Sequence, residues 1–297
     1  MSSLSRIYLI ARNTLTEAMR QRVLNILLLF ALVAIASAFL FDDLTLEADA
    51  FKFIKDFSLG AMSVFGLLIA LMSTAALLPT ELENRTVYTI LAKPVHRAEF
   101  LLGKFLGVLV LLAVALFLMS VVFFVVLFLK EQWVIGPMEE HLAQMASSGA
   151  SPEALAHQSR LIEQAYAAAR DPDIFQALLL IYAKLAFTAS IAMVISTFAT
   201  STIFTVATTF MIYLIGHLQS TARETWQAQA DEFSLASIGL GVLVLLLPDM
   251  NTYSLIDEIL AGTEVLWADT LQILALTVVR IAVYLGVAVI IFQDREL

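Results

Sequence analysis

Pro79-Thr-Glu-Leu-Glu-Asn-Arg-Thr-Val-Tyr-Thr-Ile-Leu-Ala-Lys-Pro-Val-His-Arg-Ala-Glu-Phe-Leu-Leu-Gly-Lys-Phe-Leu-Gly107 is a polar island between two long apolar runs. It opens as a helix should. Thr80 followed by Glu83 has the spacing of a capping box, in which each side chain satisfies an orphan amide of the first turn. Leu82, Val87, Ile90 and Leu91 share one face. Lys93-Pro94 stops the helix, because proline disfavours helical geometry in the residue before it. A charged helix in a chain so poor in polar groups reads as a surface offered to something soluble. A solvated loop whose Arg and Lys set topology fits the same residues.

The runs around the island decide the fold class. Of 297 residues, 60% are hydrophobic and 14% charged, against about 45–50% and about 25% in a soluble domain. This is the composition of an all-α integral membrane protein, since unbroken apolar helices satisfy their own backbone groups in lipid. Crossing the bilayer core takes about 20 apolar residues. Residues 23–41, 57–78, 100–129, 174–198 and 266–292 meet or approach that length, and 203–217 is a shorter sixth run. Residues 233–247, ending at Pro248-Asp249, suit a re-entrant or interfacial segment. The reading is one transmembrane domain over 1–297, with six spans and a re-entrant or external segment at 233–260 before the last.

Lys and Arg orient the spans. With the N-terminus inside, Arg6, Arg12, Arg20, Arg22, Arg85, Lys93, Arg97, Lys104 and Arg295 are cytoplasmic, and both termini lie in the cytoplasm. Residues 3–22 form an amphipathic interfacial helix, with Leu4, Ile7, Ala11, Leu15 and Ala18 on one face. No small-residue cleavage site follows it, so it reads as a retained entry segment. Residues 130–173 are too long for a simple turn and form an external helical hairpin. Gly136-Pro137 opens its first helix and Ser147-Ser148-Gly149 closes it. Ser151-Pro152-Glu153 starts the second with an N-cap serine, a first-turn proline and an acid. The hairpin either caps the bundle or meets a periplasmic partner.

Other chemistry is sparse. The net charge of −9 disfavours a nucleic-acid partner. The chain has no Cys, hence no disulfide, thiolate metal site or thiol nucleophile. Glu139-Glu140-His141 lacks the further ligands a metal site requires. Two cations, Lys184 and Arg280, fall inside spans. A charge at that depth faces the interior by default and marks a substrate pathway. Backbone carbonyls, Asp249, Asp257 or a lipid headgroup would satisfy them without such a pathway, which is the plainer reading. Gly103 and Gly107 have the small-xxx-small spacing of close helix packing.

Glu81-x-Glu83-x-Arg85-Thr86, Ile90-Leu91-Ala92-Lys93-Pro94 and Arg97-x-Glu99-Phe100-x-x-Gly103-Lys104-x-x-Gly107, taken in order, resemble the segment joining spans two and three of type-2 ATP-binding-cassette (ABC) exporter permeases. Asn84-Arg85 stand where that family has Arg-Gly. A second stretch, Leu246-Leu247-Pro248-Asp249-Met250-Asn251-Thr252-Tyr253-Ser254-Leu255, is similar to the one before the last span in some of these permeases. The resemblance implies the permease half of an exporter in a bacterial plasma (inner) membrane, paired with a second copy or a paralogue. It makes residues 80–93 a coupling helix, with Glu81, Glu83, Arg85, Thr86, Lys93 and Pro94 touching cytoplasmic ATPase subunits. The chain has no G-x-x-x-x-G-K-[ST] and is not itself an enzyme, so ATP and Mg belong to the partner. A non-transporting membrane anchor or scaffold is the alternative.

Overall fold

The computed structural model describes residues 3–40, 50–77, 79, 96–218, 248–263 and 265–294, and all regular structure among them is helical. The expected coupling helix at 80–93, and residues 233–247 of the expected re-entrant segment, lie outside the described residues.

Helix α1 (Ser3–Met19) is separated from α2 (Arg22–Ser37) by a sharp break at Arg20-Gln21, where Gln21 is extended. The Asn25 side-chain amide donates to the Met19 carbonyl at 3.1 Å, which satisfies an orphan acceptor at the end of α1. Helix α3 (Ala50–Ala75) ends just before the island, and α4 (Arg97–Ser147) begins within it. Helix α5 (Pro152–Ala169) folds back along α4. Then come α6 (Ile174–Phe198), α7 (Thr202–His217), a 3-10 turn (Asn251–Tyr253), the short α8 (Leu255–Leu260) and α9 (Trp267–Asp294).

Five helical stretches, carried by α2, α3, α4, α6 and α9, are long and apolar enough to cross a membrane. With 16 residues, α7 spans about 24 Å, short of the roughly 30 Å hydrocarbon core. Helix α6 is the central post. Leu180, Ile181, Leu185, Ala189 and Ala192 are buried, and α3 and α9 pack along it. Gly66 of α3 makes one approach close, since a Cβ there would sit 2.5 Å from Leu185 Cδ1. Rows of exposed aliphatics, such as Leu29 and Val33 on α2 and Val279 and Val283 on α9, face away from the core. Outward apolar rows are what lipid requires and water forbids.

The hairpin differs from its sequence reading at one end. Gly136-Pro137 does not open a helix: α4 runs unbroken through Pro137 over 51 residues, about 76 Å. Proline removes the bond to the Trp133 carbonyl. Packing against α5 holds the turns on either side. The second helix begins as expected: the Ser151 hydroxyl accepts from Ala154 N at 3.3 Å. The connecting turn uses Gly149 at φ +77°, a conformation that glycine adopts freely. Arg170 Nε donates to Glu131 at 3.0 Å, Tyr166 to Glu139 at 2.9 Å, and Lys55 at the start of α3 pairs with Asp171 at 2.9 Å.

Candidate functional site: a clamped base and an open polar pocket

Two polar clusters lie at opposite ends of the bundle. The first surrounds the start of α4, where the chain emerges from the island. Arg97 donates to the carbonyls of Phe292 and Gln293, each at 2.9 Å, so it closes off acceptors in the last turns of α9. Phe100 stacks on Phe292 with ring centroids 6.3 Å apart. Glu99 accepts from Arg6 of α1 at 3.0 Å. The Ser3 hydroxyl foremost, and then the Arg6 guanidinium, hold the Glu99 carboxyl below the usual carboxylate range against the opposing effect of burial. Lys104 is buried and reaches Glu17 of α1 at 3.7 Å.

Between these ion pairs α1 lies against the glycines of α4. A Cβ at Gly103 would fall 2.8 Å from Ile10 Cβ and 3.0 Å from the Ile7 carbonyl oxygen. At Gly107 it would fall 2.6 Å from Thr14 Cβ and 2.8 Å from the Ala11 oxygen. The small-xxx-small pair thus receives the N-terminal helix, backbone against backbone. The packed face of α1 keeps Ile7, Ala11, Leu15 and Ala18 of its sequence reading, gains Ile10 and Thr14, and loses Leu4. Leu4 is 79% exposed, whereas Thr14 is buried. Thr14 fits because it is small and because its hydroxyl is spent on the Ile10 carbonyl at 3.0 Å.

The second cluster is a cavity of about 240 Å³ towards the hairpin end, between α3, α6, the end of α7 and the 3-10 turn with α8. Its floor is pinned by backbone contacts. Met250 N donates to the Gly216 carbonyl at 3.2 Å, and Asn251 Nδ2 to the His217 carbonyl at 3.0 Å. Gly216 is required there, since a Cβ would lie 2.6 Å from the Pro248 oxygen. Asp249 accepts from Asn251 N at 3.0 Å, the side-chain turn that Asp favours. Thr277 donates to Ile273 O at 2.8 Å, so the buried Tyr253 hydroxyl, 2.8 Å from Thr277 Oγ1, is the donor of that pair.

Both intramembrane cations come to this region. Arg280 on α9 donates to Thr252 Oγ1 at 3.1 Å and, more weakly, to the Asp249 carbonyl at 3.4 Å, and lies 5.8 Å from the centroid of the Phe187 ring. It braces the turn that floors the cavity. Lys184 on α6 lines the cavity itself, its Nζ 5.5 Å from the Tyr213 centroid. Among the described residues no carboxylate reaches it within 4 Å. Asp257, one of the counter-charges expected from sequence, lines the same cavity. His217 also lines it, a residue that the sequence reading passed over. Its Nδ1 lies 2.9 Å from the Tyr213 carbonyl, so Nδ1 carries a proton and the other ring nitrogen is left for the cavity. Its sequence signal was slight: a lone His closing an apolar run.

Lys184 and Arg280 thus share a neighbourhood, and Gly103 and Gly107 share another. The six expected ATPase-contact residues, Glu81, Glu83, Arg85, Thr86, Lys93 and Pro94, lie outside the described residues. Among the described residues, no three His, Asp or Glu are grouped to hold a metal ion. Compared with known proteins, residues 8–297 match the family described as ABC-2 family transporter protein. No curated protein matches the chain.

Proposed function

The chain belongs to the ABC-2 family of transporter proteins, and from that premise we propose that it is the permease half of an ATP-driven exporter in a bacterial inner membrane. It crosses the membrane six times, with both termini in the cytoplasm. It works as a dimer with a second copy or a paralogue, in a bilayer whose lipid covers its apolar rows. ATP and Mg are bound by separate cytoplasmic ATPase subunits, and this chain is not an enzyme. Residues 80–93 are the coupling helix on which those subunits act.

One observation carries this reading: the base of α4. The helix that begins within the island is tied at once to α1, through Arg6–Glu99, Lys104–Glu17 and the two glycines, and to α9 through Arg97. A push on the island therefore reaches both ends of the chain as a displacement of whole helices. Rigid-body switching needs stiff levers of this kind. Lys184 and Arg280 lie towards the other end, where a transported molecule would pass.

The test is co-purification followed by ATP turnover. A tagged chain is expected to bring down a P-loop ATPase. Glu81→Ala with Glu83→Ala is expected to leave the chain folded and to lower the turnover of the complex at least tenfold. If no ATPase accompanies the chain, or if turnover ignores these changes, the anchor reading replaces this one.

A further inference from the structure

The cavity at the hairpin end holds two opposite charges that do not meet. Lys184 is half-buried on α6, and Asp257 is exposed on α8 at the mouth. Both line one space, yet no ion pair within 4 Å joins Lys184 to any described carboxylate, and neither side chain has a hydrogen bond among the described residues. Neighbouring polar groups are pinned instead. Asn251 is tied to the end of α7, and His217 to the Tyr213 carbonyl. These bonds fix two of the groups that line the space beside the unjoined charges. A half-buried cation in a bundle so apolar favours an anionic occupant, and the carboxylate at the mouth of the same space favours a cationic group beside it.

We propose that this cavity binds a small zwitterion, its anionic group on Lys184 and its ammonium on Asp257. The polarity follows from depth. The cation is inside, so the anionic end enters first. Asn251, Ser254 and Ser63 line the same space and offer neutral donors beside it. The size limit is physical. About 240 Å³ lies below the roughly 300–1,000 Å³ of pockets that enclose drug-sized ligands. It admits an amino acid or a lipid headgroup and excludes an oligosaccharide or a folded peptide. Gly60 and Val64, both exposed, form a rim on the side of α3. An acyl tail could leave there, so the zwitterion comes either from a phosphoethanolamine lipid headgroup or from a free solute of the same charge pattern. The inference rests on the permease reading for its role in transport, but the binding itself does not require an ATPase.

The test uses the full chain in nanodiscs of phosphatidylglycerol alone, without ATP, so its outcome is independent of ATPase co-purification. Calorimetry measures glycerophosphoethanolamine, glycerophosphate and L-alanine. The zwitterions are expected to bind at least tenfold more tightly than glycerophosphate. Lys184→Met should weaken all three at least tenfold. Asp257→Asn, an exposed near-isosteric change, should remove only the preference for the zwitterion and leave glycerophosphate unchanged. Phosphatidylethanolamine added to the nanodisc should compete if the source is lipid, and should have no effect if it is a free solute. Equal binding of glycerophosphate and its ethanolamine ester, or zwitterion binding that survives Lys184→Met, overturns the proposal.

Discussion

The two ends of this bundle treat charge in opposite ways. At the base of α4, Glu99 and Lys104 each have an ionic partner on α1, and Arg97 is spent on the carbonyls of α9. In the cavity near α8, Lys184 and Asp257 share a space and are left unjoined. Partnered charges fix geometry; unjoined charges in an apolar bundle cost stability and are kept where something else is to be bound. The base is therefore built as a joint and the cavity as a receptacle.

The largest effect is expected at the joint. Gly107→Leu drives a side chain into Thr14 and the Ala11 carbonyl, which lie 2.6 and 2.8 Å from the position of a Cβ. Backbone cannot step aside as a flexible side chain can. Overpacking of this kind should destabilise the chain by about 3 kcal/mol, read by unfolding in nanodiscs. A stable Gly107→Leu chain would mean that α1 is not seated on α4.

The opposite sign is expected in the receptacle. Lys184→Met removes a half-buried cation that no described carboxylate approaches within 4 Å and fills its place with an apolar chain of similar length. Stability should rise by about 1–2 kcal/mol, part of the roughly 2.5–3.5 kcal/mol that a mid-membrane Lys costs on insertion. A clear fall would place Lys184 among the structural charges and erase the contrast. A smaller loss is expected beneath the cavity. Tyr253→Phe deletes the hydroxyl that donates to Thr277, but Thr277 keeps its own bond to Ile273. The cost should be about 1 kcal/mol by the same unfolding measurement.

The smallest effect is a pH dependence at the joint. Glu99 is held below its ordinary range, so it binds a proton less readily when α1 is docked. Its contribution is fully present above the ordinary carboxylate range and is lost as pH falls through the depressed folded-state value. Between those limits the docking of α1 should weaken progressively, and below them Glu99 should add nothing to it. Hydrogen exchange of residues 3–19 would follow this, and Glu99→Gln should remove the acid transition.

Much of the fold was legible in the chain. Long apolar runs leave few alternatives to helices in lipid, because every backbone amide must be satisfied within its own segment. Ser151-Pro152-Glu153 read correctly because a helix start is local chemistry, settled within four residues. Gly136-Pro137 misread because a proline is a local penalty, and here it is outweighed by packing between α4 and α5 that no local window contains. The face of α1 was read correctly at Ile7, Ala11, Leu15 and Ala18, but not at Leu4, which is exposed, nor at Thr14, which is buried. Periodicity finds the apolar stripe, but Gly103 and Gly107 select the side of α1 that is small enough to approach them.

The candidate sites divide along the same line. Sequence alone marked Lys184 and Arg280, since a charge inside an apolar span is conspicuous wherever its partners are. It also fixed the order of the island and the motif at 246–255 on which the family resemblance rests, because those are patterns along one chain. Only the tertiary structure decided that Arg280 braces the turn at Asp249 and Thr252 while Lys184 opens into a cavity with Asp257 and His217. The physical reason is range. Hydropathy and capping act between near neighbours in sequence, whereas the electrostatics of a pocket depend on which distant segments come within a few ångströms, and that is settled only when the helices pack.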